Sequence, residues 1–235
     1  MKILALESSG LVASVAVMED GQTVAEYTVN YKKTHSQTLL PMLDEVAKMT
    51  ELELESVDAI AISGGPGSFT GLRIGSATAK GLGLALGKPL IHVPTLEGLA
   101  YNLYGVPGIV CPIMDARRNQ VYTGMYSFEN GQLCVIEPQM AIGIDGLAEK
   151  LNQCGQPVIF LGDGVPVHRE YLDGNLKVLH QYAPAHMNRQ RAASVGALGM
   201  EYYKAGKCET AAEHQPDYLR VSQAERERAE RTGGK

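Results

Sequence analysis

The chain has 235 residues with 21 Lys+Arg against 26 Asp+Glu and a pI near 5.7; this acidic balance excludes a free-standing nucleic-acid binder with a strongly basic footprint, leaving room only for a local basic patch. At 45% hydrophobic and 20% charged residues, it has the make-up of an ordinary globular protein, long enough to bury about 70% of its unfolded surface in one body or two lobes. Its four cysteines, Cys111, Cys134, Cys154 and Cys208, form no CxxC pair, which points to reduced thiols rather than a zinc site or a disulfide framework.

Residues 3–6 are apolar but stop at Glu7, and no stretch approaches a membrane span. The sequence therefore predicts a cytoplasmic protein with no signal peptide and no membrane contact. Residues 2–8 read as a buried strand. Residues 12–18 and 23–29 alternate around Glu19-Asp20-Gly21, a hairpin signal. Leu39, Met42, Leu43 and Val46 mark an amphipathic helix over 35–49, with a bend or late start at Pro41. Residues 57–62 form the next buried strand. Ser63-Gly-Gly-Pro-Gly-Ser68 is a loop, and a helix over 69–86 follows, capped by Ser68 or Thr70.

That helix carries Gly71, Gly75, Ala79, Gly83 and Gly87 in one row. Each interior glycine costs roughly 1 kcal/mol of helix stability relative to alanine, so something must need the bare backbone. Either another helix approaches closely there, or the row packs on this chain's own sheet. Strand 90–93 and helix 95–103 then connect to a second round: strands 109–114, 121–128 and 133–136, helix 145–152, strand 157–161 and helix 165–172. Helix 188–205 and an extended piece at 216–220 complete the chain before a charged tail. The recurring order predicts a duplicated βββαβα unit, with lobes at 1–105 and 106–221 and a disordered tail at 222–235.

Chemistry-bearing clusters are few. The six histidines, His35, His92, His168, His180, His186 and His214, show no pair at i, i+4. Ser8, Ser9, Ser63 and Ser68 lack Asp/His partners at recognisable spacing, which leaves a serine hydrolase unsupported. Gly64–Gly71 precedes a helix N-terminus and could hold an anion, but it lacks the Lys-Ser/Thr ending of a P-loop. Asp115, Arg117 and Arg118, with Gln120 and Tyr122, could meet RNA phosphate or a partner carboxylate; a solvated turn with a local ion pair is the alternative.

The stretch GGPGSFTGLRIG from Gly64 to Gly75 resembles the signature of the TsaB/TsaD (YeaZ/YgjD) proteins of tRNA threonylcarbamoyladenosine synthesis. Its surroundings are similar to the TsaB (YeaZ) family: LALESSGLVASVAV at the start, Thr34-His-Ser-Gln-Thr-Leu-Leu-Pro-Met-Leu43, Met114-Asp-Ala-Arg-Arg-Asn-Gln-Val-Tyr122 and Pro216-Asp-Tyr-Leu-Arg220. The resemblance runs to about Val221. It implies an α/β fold of the actin/Hsp70-like (ASKHA) type with two ribonuclease-H-like βββαβα lobes. It also implies a non-catalytic subunit that holds TsaD and works with the ATPase TsaE on adenosine 37 of ANN-decoding tRNAs, meeting tRNA through the complex. Alone, such a chain is expected to form a homodimer.

The expected seam with TsaD or a second copy comprises Leu39, Met42, Leu43, Val46, Gly71, Leu72, Gly75, Ala79 and Gly83. TsaD-type relatives hold a metal through H-x-x-x-H, and Thr95 and Leu99 stand at those places, so no catalytic residue, metal or other cofactor is expected. A nucleotide is expected only at the interface of the complex. Glu7-Ser-Ser-Gly10 and Leu161-Gly-Asp-Gly164 occupy the places of the fold's two phosphate turns, or are ordinary tight turns. The rival readings are a metallopeptidase-like enzyme of the glycoprotease class and an independent ASKHA ATPase or kinase.

Overall fold

The computed structural model describes residues 1–220. Its elements in chain order are β1 (Lys2–Glu7), β2 (Ala13–Glu19), β3 (Gln22–Val29), α1 (His35–Thr50), β4 (Ala59–Gly65), α2 (Phe69–Leu86), β5 (Leu90–Pro94), α3 (Thr95–Ala100), β6 (Ile109–Asp115), β7 (Gln120–Glu129), β8 (Gln132–Gly143), α4 (Ile144–Cys154), β9 (Val158–Leu161), α5 (Val165–Asn175), β10 (His180–Tyr182) and α6 (Ala192–Lys204). Ile3, Leu4, Ala5 and Leu6 of β1 are completely buried, and a strand apolar on both sides needs cover on both. It lies at the centre of a five-stranded sheet of order β3-β2-β1-β4-β5. β1 is antiparallel to β2 and parallel to β4.

Alternate residues of a strand face opposite ways. Leu4 and Leu6 join Leu39, Met42, Leu43, Val46 and Ala79 beneath α1 and α2, while Ile3 and Ala5 join Val195 and Leu198 of α6. The second sheet has the order β10-β9-β6-β7-β8 and repeats the pairing of the first strand for strand. One of its faces is covered by α4 and α5, the other by α3. Each βββαβα unit thus recurs as expected and ends in a fifth strand.

Four departures have local causes. The three-residue β10 was not expected, being too short for an alternation to show. β8 continues past residue 136 through Pro138 to Gly143; it is an edge strand with a register shift opposite Gly124, where a residue without an N–H is tolerated. α1 starts at His35 with Pro41 inside it, so there is no late start. α6 begins at Ala192 rather than 188. The residues ahead of it are held by side chains, with Asn102 Nδ2 donating to the Met187 and Arg189 carbonyls at 2.9 and 2.6 Å.

The second half of the chain is also not confined to the second sheet: α6 covers the first sheet, and Glu209 pairs with Leu90 of β5. The expected tail at 222–235 lies outside the described residues.

The expected seam is corrected most sharply. Leu39, Met42, Leu43, Val46, Gly71, Leu72, Gly75, Ala79 and Gly83 are all buried inside this chain, so they offer a partner no surface. A Cβ on Gly71 would collide with the Ser8 carbonyl oxygen and one on Gly75 with Ser8 Oγ; one on Gly83 would sit 3.0 Å from Leu90 Cδ2. The row lets α2 lie close on β1, β4 and β5, which is the own-sheet alternative. The opposite face of α2 is open: nothing stands within 4 Å of a Cβ on Gly81.

Two substitutions in one helix therefore move stability in opposite directions. Gly75→Leu overpacks a closed contact and is expected to cost at least about 1–3 kcal/mol. Gly81→Ala, on the open face, is expected to gain up to about 1 kcal/mol, or roughly 2–4 °C in melting temperature for a chain of this size. Thermal denaturation of both variants checks this; a Gly75→Leu protein that melts like the parent contradicts the packing described.

Candidate functional site

Equivalent turns of the two lobes face each other. Residues 9–11 after β1 and 66–69 between β4 and the start of α2 oppose residues 115–117 at the end of β6 and Asp163 after β9, around a cavity of about 540 Å³. Residues 217–220 close its side: Tyr218 packs on Phe69 with ring centroids 4.8 Å apart, and Arg220 Nη1 donates to the Ala116 carbonyl at 2.5 Å. The backbone N–H of Asp217 donates to the Gly64 carbonyl at 2.7 Å, which fastens this strap to the glycine loop.

The glycine loop is bound tightly to the first turn. Ser68 N–H donates to the Ser9 carbonyl at 2.6 Å, Ser8 Oγ donates to the Gly71 carbonyl at 2.9 Å, and a Cβ on Gly67 would strike the Ser9 carbonyl. Ser68 caps α2, its Oγ accepting from Gly71 N at 3.3 Å. Glu7 is buried beneath the turn and accepts from Ser9 N and Ser9 Oγ at 2.6 and 2.5 Å. Burial pushes its carboxyl up from the ordinary range, opposed by hydrogen bonds from Ser63 and Ser9.

The second-lobe turn is similarly occupied. Gly164 N–H donates to the Ile113 carbonyl at 3.0 Å, and Gly162 N–H donates to the Asn188 carbonyl at 2.9 Å. Gly162 has φ +109° and hugs the backbone of Ile113. Phosphate turns need free amides aimed at the anion, and here Ser68, Gly162 and Gly164 spend theirs within the chain. Burial raises the carboxyl of Asp163, which the Arg189 guanidinium opposes.

Among the residues expected to carry function, Asp115 and Arg117 meet at the rim, Arg117 Nη1 lying 3.3 Å from Asp115 Oδ2. Arg118 is exposed and lies outside the cavity lining. Arg117, Arg118 and Asn119 have φ of 65°, 56° and 56°. This left-handed run costs side-chain-bearing residues about 1–2 kcal/mol each and displays both arginines to solvent. Thr95 and Leu99 are buried. Thr95 Oγ1 accepts from Gly65 N at 3.0 Å and so anchors the loop, while Leu99 belongs to an apolar core.

Two histidines with no i, i+4 relation meet in space: His92 and His214 come within 5.7 Å, centroid to centroid, with Glu209 beside them. No local pattern could have shown this, since the pair forms only when the chain returns to the first sheet. No helix among the described residues is long and apolar enough to cross a membrane.

The family model for TsaD, tRNA N6-adenosine threonylcarbamoyltransferase, matches residues 22–228. The tRNA threonylcarbamoyladenosine biosynthesis protein TsaB of Bacillus subtilis is 34% identical over 96% of both chains. The structure of YeaZ from Pseudomonas aeruginosa superposes with a TM-score of 0.80 at 27% identity, covering 93% of this chain and 99% of that one. An inorganic polyphosphate/ATP-glucomannokinase from Arthrobacter shares the fold alone, with a TM-score of 0.51 and 14% identity over 87% of this chain and 99% of that one. With two matching sheets, a glycine loop bound to the first turn and these relatives, the chain belongs to the TsaB (YeaZ) family, paralogous to TsaD, on the ASKHA fold.

Proposed function

We propose that this chain acts in the formation of threonylcarbamoyladenosine on tRNA as a non-catalytic subunit that binds and holds TsaD, with TsaE as the further partner. The observation that carries this reading is the fate of the two positions where TsaD-type proteins place their paired imidazoles. Thr95 is spent on anchoring the glycine loop and Leu99 on packing a core; neither offers a neutral imidazole to a metal. The inward-turned amides of Ser68, Gly162 and Gly164 support the same reading against an independent ATPase. The acidic net charge favours contact with tRNA through the complex, with the exposed Arg117 at the cavity and Arg118 next to it as candidate phosphate contacts.

The corrected packing supports a different partner surface from the buried row. α1 and α2 cover one face of the first sheet side by side, and their outer faces are exposed. On α2 these are Arg73, Ala77, Gly81 and Leu84; on α1 they include Leu40 and Pro41. Leu40 and Leu84 are 54% and 70% exposed, and the small residues between them allow another helix to come close. We assign this outer face to TsaD in the complex and to a second copy when the chain is alone.

Two outcomes are expected. In a reconstituted assay, the chain alone transfers no threonylcarbamoyl group to tRNA, and transfer by TsaD with TsaE requires it; transfer by the isolated chain refutes the subunit reading, and tight ATP binding with hydrolysis favours the kinase or ATPase rival. Ala77→Arg and Gly81→Trp leave the melting temperature within a few degrees but weaken TsaD binding at least about tenfold, a loss of about 1.4 kcal/mol. Unchanged affinity in both variants, measured by titration calorimetry, moves the seam elsewhere.

A further inference from the structure

His92 on β5 is half-buried, and its two ring nitrogens face different groups. Nε2 meets Asp217 Oδ2 at 3.2 Å, which turns Nδ1 toward Glu209, whose Oε1 lies 4.0 Å away. The same Glu209 oxygen meets Nδ1 of His214 at 2.6 Å, and the His214 side chain is fully buried. Its other nitrogen, Nε2, has no hydrogen-bond partner among the described residues. One ligand atom from each of the three residues lies within 4.8 Å of the other two.

We propose that His92, Glu209 and His214 bind a divalent transition metal of the zinc class, and that the metal fastens the C-terminal segment to the first sheet. Two imidazoles and a carboxylate match such a cation and not the all-oxygen preference of magnesium or calcium. Tetrahedral bonds of about 2.0–2.2 Å set neighbouring donors about 3.4 Å apart. The 2.6 Å contact must therefore open and the 4.0 Å gap close, each by less than about 1 Å, which rotation of the Glu209 carboxylate can supply. The two imidazoles, at most 4.8 Å apart, must close by up to about 1.4 Å through a shift of the half-buried His92 ring. The Asp217 carboxylate on the far nitrogen of His92 is the outer partner that orients a ligating imidazole. Two carboxylates face one ammonium, since Lys80 Nζ donates to the His214 carbonyl at 2.9 Å; the local charge favours a dication. The fourth position is left for water.

The consequence is mechanical. The ligands join β5 to the stretch 209–214, which is also held by the Leu90–Glu209 backbone pair, by Lys80 Nζ on the Ala212 and His214 carbonyls and by Ala211 in the core, and which leads directly into the strap at 217–220. A bound ion would thereby steady Tyr218 and Arg220 at the cleft. This inference stands apart from the proposed role with TsaD.

The test uses the full chain, free of any affinity tag and stripped with chelator. It is titrated with Zn²⁺ by calorimetry and with Co²⁺ by visible absorption. One equivalent is expected, with the intense d–d bands of a tetrahedral cobalt site. His92→Gln and Glu209→Gln, both at half-buried positions, should each lower the affinity at least tenfold while keeping the metal-free melting temperature. Asp217→Asn should weaken binding about tenfold through His92 alone. Zinc should also slow hydrogen exchange across 209–220 in the parent and not in His92→Gln. No saturable binding at micromolar free Zn²⁺, or one equivalent that survives both His92→Gln and Glu209→Gln, overturns the proposal.

Discussion

The structure depends on how closely α2 lies on the first strand of its own sheet. With Gly71 against the Ser8 carbonyl and Gly75 against Ser8 Oγ, the helix comes nearer to β1 than any side chain would permit. Helix glycines carry a conformational cost, which this contact offsets by burying β1 and β4 without a gap. The same approach brings the helix N-terminus down on the first turn, where Ser68 N reaches the Ser9 carbonyl and His35 Nε2 meets the Gly10 carbonyl at 2.9 Å. The other face of the sheet uses the same device. A Cβ on Gly196 of α6 would stand 2.5 Å from Met18 Cγ, and one on Gly199 would stand 2.9 Å from Ala61 Cβ. The sheet is clasped between two helices with bare faces.

That tightness shapes the cleft. Around the cleft, the amides of Ser68, Gly164 and Gly162 are paired inside the chain with the carbonyls of Ser9, Ile113 and Asn188. What remains between the lobes is a cavity edged by Asp115, Asp163 and Asp217 and bridged by the strap at 217–220. The strap owes its position to the first lobe, through Gly64, and to the second, through Ala116. It thus touches both walls of the cleft.

Local signals were strong where a single stretch carries its own reason. The helix after the glycine loop runs from Phe69 to Leu86 as read from its cap and periodicity, with Ser68 accepting from Gly71 N. The repeated strand and helix order survives in two sheets of matching topology. The signals failed where the partner of a segment lies far along the chain. Residues 188–191 have helical composition, yet they are drawn out as a crossing held by Asn102 and Gly162. β8 extends through Pro138 because its pairing partner and edge position allow it.

The sequence by itself determined that small residues share one face of α2, that Thr95 and Leu99 cannot serve as a paired metal ligand, and that the chain is a duplicated unit. These follow from residue type and period, which are properties of a few neighbouring positions. Only the tertiary structure decided that the small face turns inward to Ser8 and the open one outward at Gly81, because which surface covers a helix is set by burial summed over distant strands. It also decided that His92, Glu209 and His214 meet. Their meeting requires the chain to leave the first sheet, build the second and come back along β5, and no local spacing records that return.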